Sequence, residues 1–229
     1  MNRKEVIQNI LDKKKAPTYL EIGASSGDTF FPIKARQKIA VDPNFDFSKK
    51  DKIKWAFKNP YNIVAKYYEL SSNSYFEKVK NSYQLDVVFI DGLHTYQQSL
   101  KDVNNSLSNL KKNGVIVMHD CNPPHEAAAY PANSHNHAAS LNLPGWTEEW
   151  CGDVWKTICY LRSNRKDLRI FVLDCDYGLG IITRGEADNC LNLPEQDIDK
   201  MTYDEFSQNR HKLLNLKDEI FLFEFLKTI

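Results

Sequence analysis

Two apolar runs that end abruptly at acidic and glycine residues constrain the fold of this chain most strongly. The first is residues 18–28 (TYLEIGASSGD) and the second is residues 86–94 (DVVFIDGLH). A buried parallel strand has this appearance when it carries polar groups to a ligand at its carboxyl end. The two runs therefore predict two strands whose ends form one site, with a cofactor loop on the first and a carboxylate and an imidazole on the second.

Composition and charge narrow the class of protein. The chain has 229 residues and is 42% hydrophobic, which predicts a single α/β domain over residues 1–229. Basic and acidic residues both number 30, so no global field favours nucleic acid or a membrane as a partner, and lysine runs such as Lys49-Lys50 are interpreted as solvated surface. Five cysteines without a CxxC pair indicate reduced thiols. The amino-terminal segment resembles no signal peptide, so we expect a cytoplasmic protein; its self-association stays open.

The order of predicted elements gives the architecture. Strands alternate with helices up to about residue 120, which predicts right-handed crossovers and a mostly parallel sheet with helices on both faces. Two strands separated by four residues cannot be joined by a parallel crossover, so they predict an antiparallel hairpin. The predicted helices are 4–14, 96–110, 151–163 and much of 195–229, with a further short helix after the first strand, and the predicted strands are 18–23, 38–42, 62–68, 85–91, 115–118, 168–173 and 178–183.

Three parts of the predicted domain have different tasks. Residues 16–120 would hold a cofactor, residues 121–150 form a long polar loop for an acceptor, and residues 151–229 complete the fold. His135-x-His137 in this loop is a pattern that can chelate zinc. The alternative interpretation, which we favour, is a flexible lid whose tryptophans stack on an acceptor or fix the loop to the domain.

The first strand end has the pattern of a nucleotide-type cofactor loop. Glu21-x-Gly23-x-x-x-Gly27 follows the apolar run directly, and its glycines let a ligand approach the backbone. Asp42 ends the next predicted strand, nineteen residues beyond Gly23, where a carboxylate can accept both hydroxyls of a ribose. NAD is disfavoured because the pattern is not GxGxxG and because the acid at Glu21 would repel a pyrophosphate. The same acid suits the cationic sulfonium of S-adenosylmethionine (SAM).

The loop, the Val-Asp-Pro at residues 41–43 and the predicted hairpin resemble the class I SAM-dependent methyltransferases over residues 16–185. The resemblance implies a Rossmann-like seven-stranded sheet whose last strand is antiparallel. It also implies that the ribose is held by Asp42 and that the adenine lies near Ser71. The remaining cofactor contacts implied by the resemblance are Glu21, Gly23, Ala24, Ser25, Gly27 and Asp91.

The second strand end predicts a catalytic edge. Asp91 ends one predicted strand and Asp120 ends the next, and neither has a basic partner nearby in sequence. Two adjacent carboxylates need a proton or a cation between them, and such oxygen ligands suit Mg²⁺ or another hard divalent ion. A sugar hydroxyl is too weak an acid to attack a methyl sulfonium unaided. His94, three residues after Asp91, is the predicted general base.

Asp91-Gly-x-His94 followed by Asp120 resembles the metal-dependent O-methyltransferases of natural-product sugars and surface glycans. Residues 152–156 (GDVWK) and 201–210 are similar to segments of methyltransferases of glycan assembly. Relatives carry a further acid where this chain has Leu93, so a third metal ligand would come from Asp153 or His119. The implied function is methylation of a sugar hydroxyl on a nucleotide sugar, glycan precursor or glycosylated metabolite. A phenolic or other small acceptor and a non-catalytic SAM-binding partner protein stay open as alternatives.

Overall fold

The structure is a computed structural model that describes residues 1–79 and 83–229. Its eight strands form one sheet in the order β3-β2-β1-β4-β5-β7-β6-β8. The strands are β1 Thr18–Ile22, β2 Gln37–Asp42, β3 Lys66–Glu69, β4 Leu85–Ile90, β5 Leu110–Met118, β6 Leu168–Leu173, β7 Leu179–Arg184 and β8 Leu216–Lys217. The helices are α1 Arg3–Leu11, α2 Lys49–Lys58, α3 Ser72–Lys78, α4 Tyr96–Asn109, α5 His135–Ser140, α6 Trp155–Asn164, α7 Glu195–Lys200, α8 Tyr203–Leu214 and α9 Phe221–Phe225, and a 3-10 turn spans Pro60–Asn62.

The central strands are mostly apolar because both faces of the sheet are covered. Val88 and Ile90 of β4 pack into one hydrophobic cluster, whereas Val87 and Phe89 point into the cluster on the opposite face. Successive strand residues alternate between faces, so a strand buried on both sides has apolar residues at successive positions. The α/β class with helices on both faces is therefore confirmed.

The antiparallel hairpin is also confirmed. β7 pairs antiparallel with both β5 and β6, while β1 to β5 pair in parallel. The sheet differs from the implied seven strands by β8, a two-residue strand that pairs in parallel with the end of β6. No helix among the described residues is long and apolar enough to cross a membrane.

Three local predictions were wrong. The short helix expected after β1 is absent from the described residues 23–36, which form a series of turns instead. The strand predicted over 62–68 is limited to β3, because Pro60–Asn62 forms a 3-10 turn whose N-cap is Asn59. The strand predicted over 115–118 begins earlier, at Leu110, because the backbone is already extended at the residue that caps α4 and the chain continues directly into β5.

Candidate active site

A cavity of about 760 Å³ opens at the carboxyl ends of β1, β2, β4 and β5. In an open α/β sheet this edge is where ligands bind, since the loops that follow the strands diverge there. Both strand ends singled out in the sequence reach this cavity. The predicted site residues that line it are Gly23, Ser25, Asp42, Ser71, Asp91, His94 and Asp120.

The turn after β1 brings two strand ends into contact. Gly23 has a φ of +84°, and a Cβ atom built there would lie 1.9 Å from the carbonyl oxygen of Asp91. Only glycine fits here, because the backbone after β1 passes so close to the backbone at the end of β4. The next residues are held by Asp42, whose Oδ2 accepts a hydrogen bond from the backbone N–H of Ser25 at 2.9 Å. These contacts fix the side of the cavity where the cofactor is predicted to bind.

Three of the predicted cofactor residues lie away from the main cavity. Glu21 and Ala24 line a smaller adjoining cavity, together with Gly23. Gly27 lines neither of these two cavities; a Cβ there would lie 2.3 Å from the ring of Phe31, so this glycine makes room for packing. The structure therefore supplies a packing role for Gly27, and a role in cofactor binding stays a prediction for Glu21 and Ala24.

Glu21 has a different electrostatic character from the one that the sequence suggested. The side chain is buried and accepts a hydrogen bond from the hydroxyl of Tyr19. Burial raises the pKa of Glu21 to about 8 against the opposing effect of the Tyr19 hydrogen bond. This environment favours the protonated carboxyl when no cation is bound, so a charged Glu21 that attracts a sulfonium stays a prediction.

The acids at the second strand end form a cluster with an imidazole. One ligand atom from each of Asp91, His94 and Asp120 lies within 4.8 Å of the other two. Nε2 of His94 is 3.4 Å from Oδ1 of Asp91, and Nδ1 is 3.3 Å from Oδ2 of Asp120. Asp120 adopts a φ of +60°, an unusual conformation for a non-glycine residue and one that occurs at functional sites.

The expectation that Asp91 and Asp120 lack basic partners was wrong. Nη1 of Arg3 donates to Oδ2 of Asp91 at 2.9 Å, and Nδ1 of His119 lies 3.0 Å from Oδ2 of Asp120. Arg3 lies far from both motifs in sequence, and His119 is the residue directly before Asp120. Burial opposes ionisation of Asp91, yet His119 and His94 hold the pKa of Asp91 well below its usual range.

Arg3 and Asp176 adjoin the cluster, and neither was predicted from the sequence. Arg3, on the first helix, donates from Nε to Oδ2 of Asp176 at 3.0 Å, and Asp176 lies in the β6–β7 turn. Oδ1 of Asp176 is also 3.4 Å from Nε2 of His119. Arg3 stands 88 residues before Asp91, so no local spacing signals the contact. Only the helical pattern around Arg3 was visible in the sequence.

His94 is oriented by Trp150, at the end of the loop of residues 121–150. Its Nδ1 lies 2.8 Å from the carbonyl oxygen of Trp150, which can only accept, so Nδ1 carries a proton. The imidazole also stacks on the Trp150 ring at a centroid distance of 5.0 Å. In the neutral tautomer the free lone pair is therefore on Nε2. Burial lowers the pKa of His94, but Asp120 and Asp91 outweigh it and raise the pKa to about 9.

The two proposed third ligands differ in position. Asp153 is not part of the cluster and does not line the cavity; its Oδ1 accepts a hydrogen bond from the backbone N–H of Tyr96 at the start of α4. It is therefore a helix-capping residue. His119 adjoins the cluster, because its Nδ1 lies 3.0 Å from Oδ2 of Asp120 and 3.4 Å from Oδ1 of Asp91. Burial opposes the charged form, yet these two carboxylates raise the pKa of His119 well above its usual range, so its imidazole is a cationic partner of the acids and not a free metal ligand.

The donor set of two carboxylates and an imidazole fits a divalent ion such as Mg²⁺ or Mn²⁺. Asp91, Asp120 and His94 would hold it, with His119 adjoining. Arg3 already occupies one oxygen of Asp91, however, so an ion would share this acid with the guanidinium. A single imidazole nitrogen cannot bind an ion and accept a proton at once, so a metal role and a base role for Nε2 of His94 exclude each other.

The loop histidines bond within the loop and are not arranged as a zinc site. Nε2 of His135 bonds to the carbonyl oxygen of Glu148 at 2.8 Å, and Nδ1 of His137 accepts from the backbone N–H of Asn133 at 3.2 Å. His125 bonds to the hydroxyl of Thr147. Within the described ranges, the one cluster with metal-binding geometry is that of Asp91, His94 and Asp120. Among the loop residues, His135, Glu149 and Trp150 reach the cavity.

Comparisons with known proteins agree with this geometry. Residues 20–121, a little under half of the chain, match a family model described as a methyltransferase domain. A candidate caffeoyl-CoA O-methyltransferase from Staphylococcus aureus has 17% identity and a TM-score of 0.58 over 80% of this chain and 82% of its own. An O-methyltransferase from Bacillus cereus in complex with SAH (S-adenosylhomocysteine) has 13% identity and a TM-score of 0.53, with 80% of each chain covered.

A third structure is the O-methyltransferase of tomaymycin synthesis from Streptomyces achromogenes in complex with SAM, with 10% identity and a TM-score of 0.53 over 79% of this chain and 78% of its own. At these identities the structures establish the fold. No curated protein matches the sequence. The matched segment runs from β1 to Asp120 and contains both strand ends of the cavity, so the similarity to a methyltransferase domain coincides with the candidate site.

Proposed function

We propose that the protein is an O-methyltransferase that moves the methyl group of SAM to a sugar hydroxyl with the help of a divalent ion. The observation that carries this proposal is the shared cavity. Asp42 and Gly23 line it on the cofactor side, and Asp91, His94 and Asp120 line it beyond the close contact of β1 and β4. A cofactor and an acceptor bound in this cavity would therefore be in direct contact.

The chemistry follows from the groups at this edge. A lone pair of the acceptor oxygen attacks the methyl carbon in line with the breaking S–CH₃ bond, and the sulfonium becomes the neutral thioether of SAH. The acceptor proton goes to Nε2 of His94, whose Nδ1 is held by the carbonyl oxygen of Trp150. Asp91 and Asp120 stabilise the imidazolium that results. Turnover requires that His94 loses this proton to solvent afterwards.

A divalent ion bound by Asp91 and Asp120 would lower the pKa of the acceptor hydroxyl and orient it. The same ion would offset the negative charge that raises the pKa of His94 to about 9, so that the base is neutral at a lower pH. Without an ion, His94 is mostly protonated at neutral pH and cannot accept. With Nε2 of His94 as the base, the ion would be held by Asp91 and Asp120 without His94, and in that arrangement the ion supports the base role.

The acceptor class is inferred from the rim of the cavity. Tyr177 presents a partly exposed ring there, the buried Trp150 lines the cavity, and the carboxylate of Glu149 accepts from the Tyr177 hydroxyl. Aromatic faces beside carboxylates suit a sugar, which offers C–H groups for stacking and hydroxyls for hydrogen bonding. A phenolic acceptor is the second candidate, because the Staphylococcus aureus neighbour is described as a candidate caffeoyl-CoA O-methyltransferase.

The deciding experiment has two stages. The first is calorimetric titration with SAH in the presence of Mg²⁺ and again with EDTA, where we expect micromolar binding in both. The second is a screen for SAH production with nucleotide sugars, glycosides and catechols, each with and without metal. Metal-dependent turnover of a sugar supports the proposal, and turnover of catechols alone supports the phenolic alternative. SAH binding with no turnover of any acceptor would favour a non-catalytic partner protein.

A further inference from the structure

A basic and apolar surface lies at the β3 edge of the molecule, away from the cavity. We call it the α2 face and define it as the exposed residues of α2, the 3-10 turn and the start of β3, within residues 49–66. This segment contains six lysines and one acidic residue, Asp51, in a chain whose net charge is zero. The α2 face therefore carries a local positive charge that the overall balance conceals.

Large apolar side chains are concentrated on the same face. Eleven such side chains are exposed in the described part of the chain, and five of them lie within residues 53–64. Phe57 is 86% exposed, Ile63 is 70% exposed and Ile53 is 60% exposed; Val64 and Tyr61 are the other two. Single exposed apolar residues are ordinary, but a group of this kind marks a surface that contacts something less polar than water.

The helix cannot turn to bury these residues. Trp55 of α2 faces the protein and stacks on Phe31 with a centroid distance of 5.6 Å and parallel rings, which fixes the rotation of the helix. Ile53 and Phe57 are one turn apart and point outward together, because residues four apart lie on one side of a helix. Lys50, Lys54 and Lys58 form the adjacent row at the same spacing.

We propose that the α2 face docks on the surface of an anionic lipid bilayer. Aromatic and aliphatic side chains flanked by lysines are the composition of an interfacial helix, which inserts its apolar side between headgroups while its lysines contact lipid phosphates. A bilayer offers negative charge and an apolar interior within one plane, matching both features. The expectation of no membrane partner rested on the net charge of the whole chain and on the interpretation of Lys49-Lys50 as solvated surface, and neither takes account of the exposed apolar residues beside these lysines.

The docking is separable from catalysis. Neither Phe57 nor the other exposed apolar residues of the α2 face line the cavity. Variants on this face should therefore bind SAH as the wild type does, which serves as the folding control together with circular dichroism. The face is also independent of the acceptor assignment, so a failure of the proposed function would leave this inference untouched.

The test is co-sedimentation of the full chain with vesicles of equal parts phosphatidylglycerol and phosphatidylcholine, compared with phosphatidylcholine alone. We expect binding to the anionic vesicles that weakens as salt is added. Phe57→Ser should weaken it by about tenfold or more, because a bilayer-buried ring is lost. The pair Lys50→Gln and Lys54→Gln should weaken it by about 30-fold, since each lysine near the surface is worth about fivefold.

Matched controls lie elsewhere on the surface. Phe223→Ser removes another exposed ring, and the pair Lys13→Gln and Lys15→Gln removes two exposed lysines; we expect neither to change the sedimented fraction. The proposal is overturned if the wild type ignores anionic vesicles, or if the Phe57 and lysine variants bind them as the wild type does. It is also overturned if light scattering shows a dimer that Phe57→Ser dissociates while vesicles are not bound.

Discussion

The guanidinium of Arg3 donates to Asp91 at 2.9 Å from Nη1, which ties the first helix to the end of β4. Its Nε and backbone N–H both reach Asp176, so the side chain bridges two carboxylates from distant parts of the chain. One oxygen of Asp91 is thereby fixed, and the other faces His94 and His119 at 3.4 Å each. The position of Asp91 in the cavity depends on Arg3.

Removal of this bridge should impair turnover. We expect Arg3→Ala to reduce kcat by about 10- to 100-fold, because a charge-assisted hydrogen bond that orients Asp91 is lost. Arg3→Lys should restore only part of the rate, since one ammonium cannot bridge both carboxylates with the fork geometry of a guanidinium. Initial rates of SAH formation give the measurement. Arg165→Ala, which breaks an exposed pair with Asp167, is the control, and equal rates for Arg3→Ala and wild type would contradict the bridge's role.

Loss of the proposed base should separate chemistry from cofactor binding. His94→Ala is expected to reduce turnover by about 10²–10⁴-fold, the usual contribution of a general base, while the Kd for SAH changes little. The matched variant is His125→Ala, whose imidazole bonds to Thr147 in the loop and does not line the cavity. If turnover survives in His94→Ala, another group removes the proton and the base assignment is wrong.

The pH dependence reports the charge state of His94. The pKa of this imidazole is about 9, and the base must be neutral, so activity in EDTA should rise as the pH passes through about 9. Saturating Mg²⁺ should move that rise to lower pH, because a cation at Asp91 and Asp120 disfavours the imidazolium. The pH–rate profiles with and without metal are the measurement. Coincident profiles would show that no ion binds beside His94.

The same raised pKa links His94 to stability. Because the folded-state pKa lies above the ordinary value of about 6.5, the contribution of His94 is fully present below that value and is lost as pH rises through about 9. Urea unfolding of the metal-free protein from about pH 6 to about pH 10 should therefore show falling stability. His94→Gln should make the curve flatter. An unchanged slope in this variant would mean that other groups, such as His119, determine the pH dependence.

A pair of glycines isolates the contact between the two strand ends. Gly23→Ala combines a positive φ with a Cβ that would lie 1.9 Å from the Asp91 carbonyl oxygen, so we expect a loss of about 2–5 kcal/mol in the free energy of unfolding. Gly145→Ala has a similar φ of +76° and no atom within 4 Å, so it should cost only about 1 kcal/mol. Chemical denaturation measures both, and equal losses would mean that the close contact is unimportant.

Asp42 should determine cofactor affinity. Its two oxygens accept backbone hydrogen bonds from Ser25 and Asn44, and it lines the cavity where the ribose is expected. We expect Asp42→Asn to raise the Kd for SAH by about 10- to 100-fold. Asp46→Asn is the control, because Asp46 bonds to the Ser25 hydroxyl of the same loop yet lies outside the cavity lining. Calorimetry that finds equal effects would place the ribose elsewhere.

The parts of the fold that the sequence predicted well are those set by local pattern. The apolar run of residues 87–90 in β4 and the short connector between β6 and β7 follow from burial and chain length, which are visible in the sequence. The helix predicted after β1 was wrong because the conformation of residues 23–36 depends on tertiary contacts. These are the packing of Phe30 and Phe31 and the side-chain hydrogen bonds from Asn59, which have no signature in the local sequence.

The site was predictable to the same degree. The strand-end acids and His94 were found because parallel strands place their carboxyl ends together. The basic partners were missed because Arg3 and Asp176 reach Asp91 and His119 only through tertiary structure. The burial of Glu21 was likewise invisible, since an acid at the end of an apolar strand can face a ligand or the Tyr19 hydroxyl with the same local sequence.

The bridge from Arg3 to Asp176 also affects the order in which the site can be assembled. A nascent chain that has emerged only as far as residue 121 already contains the first helix, the cofactor loop, Asp91, His94 and Asp120, but it lacks the hairpin turn that holds the guanidinium. Until β6 and β7 add to the sheet beside β5, Arg3 can pair with Asp91 but not with Asp176, and this edge of the site is incomplete. Catalytic competence should therefore appear late in synthesis, and activity can serve as a reporter that the carboxyl-terminal part of the chain has folded.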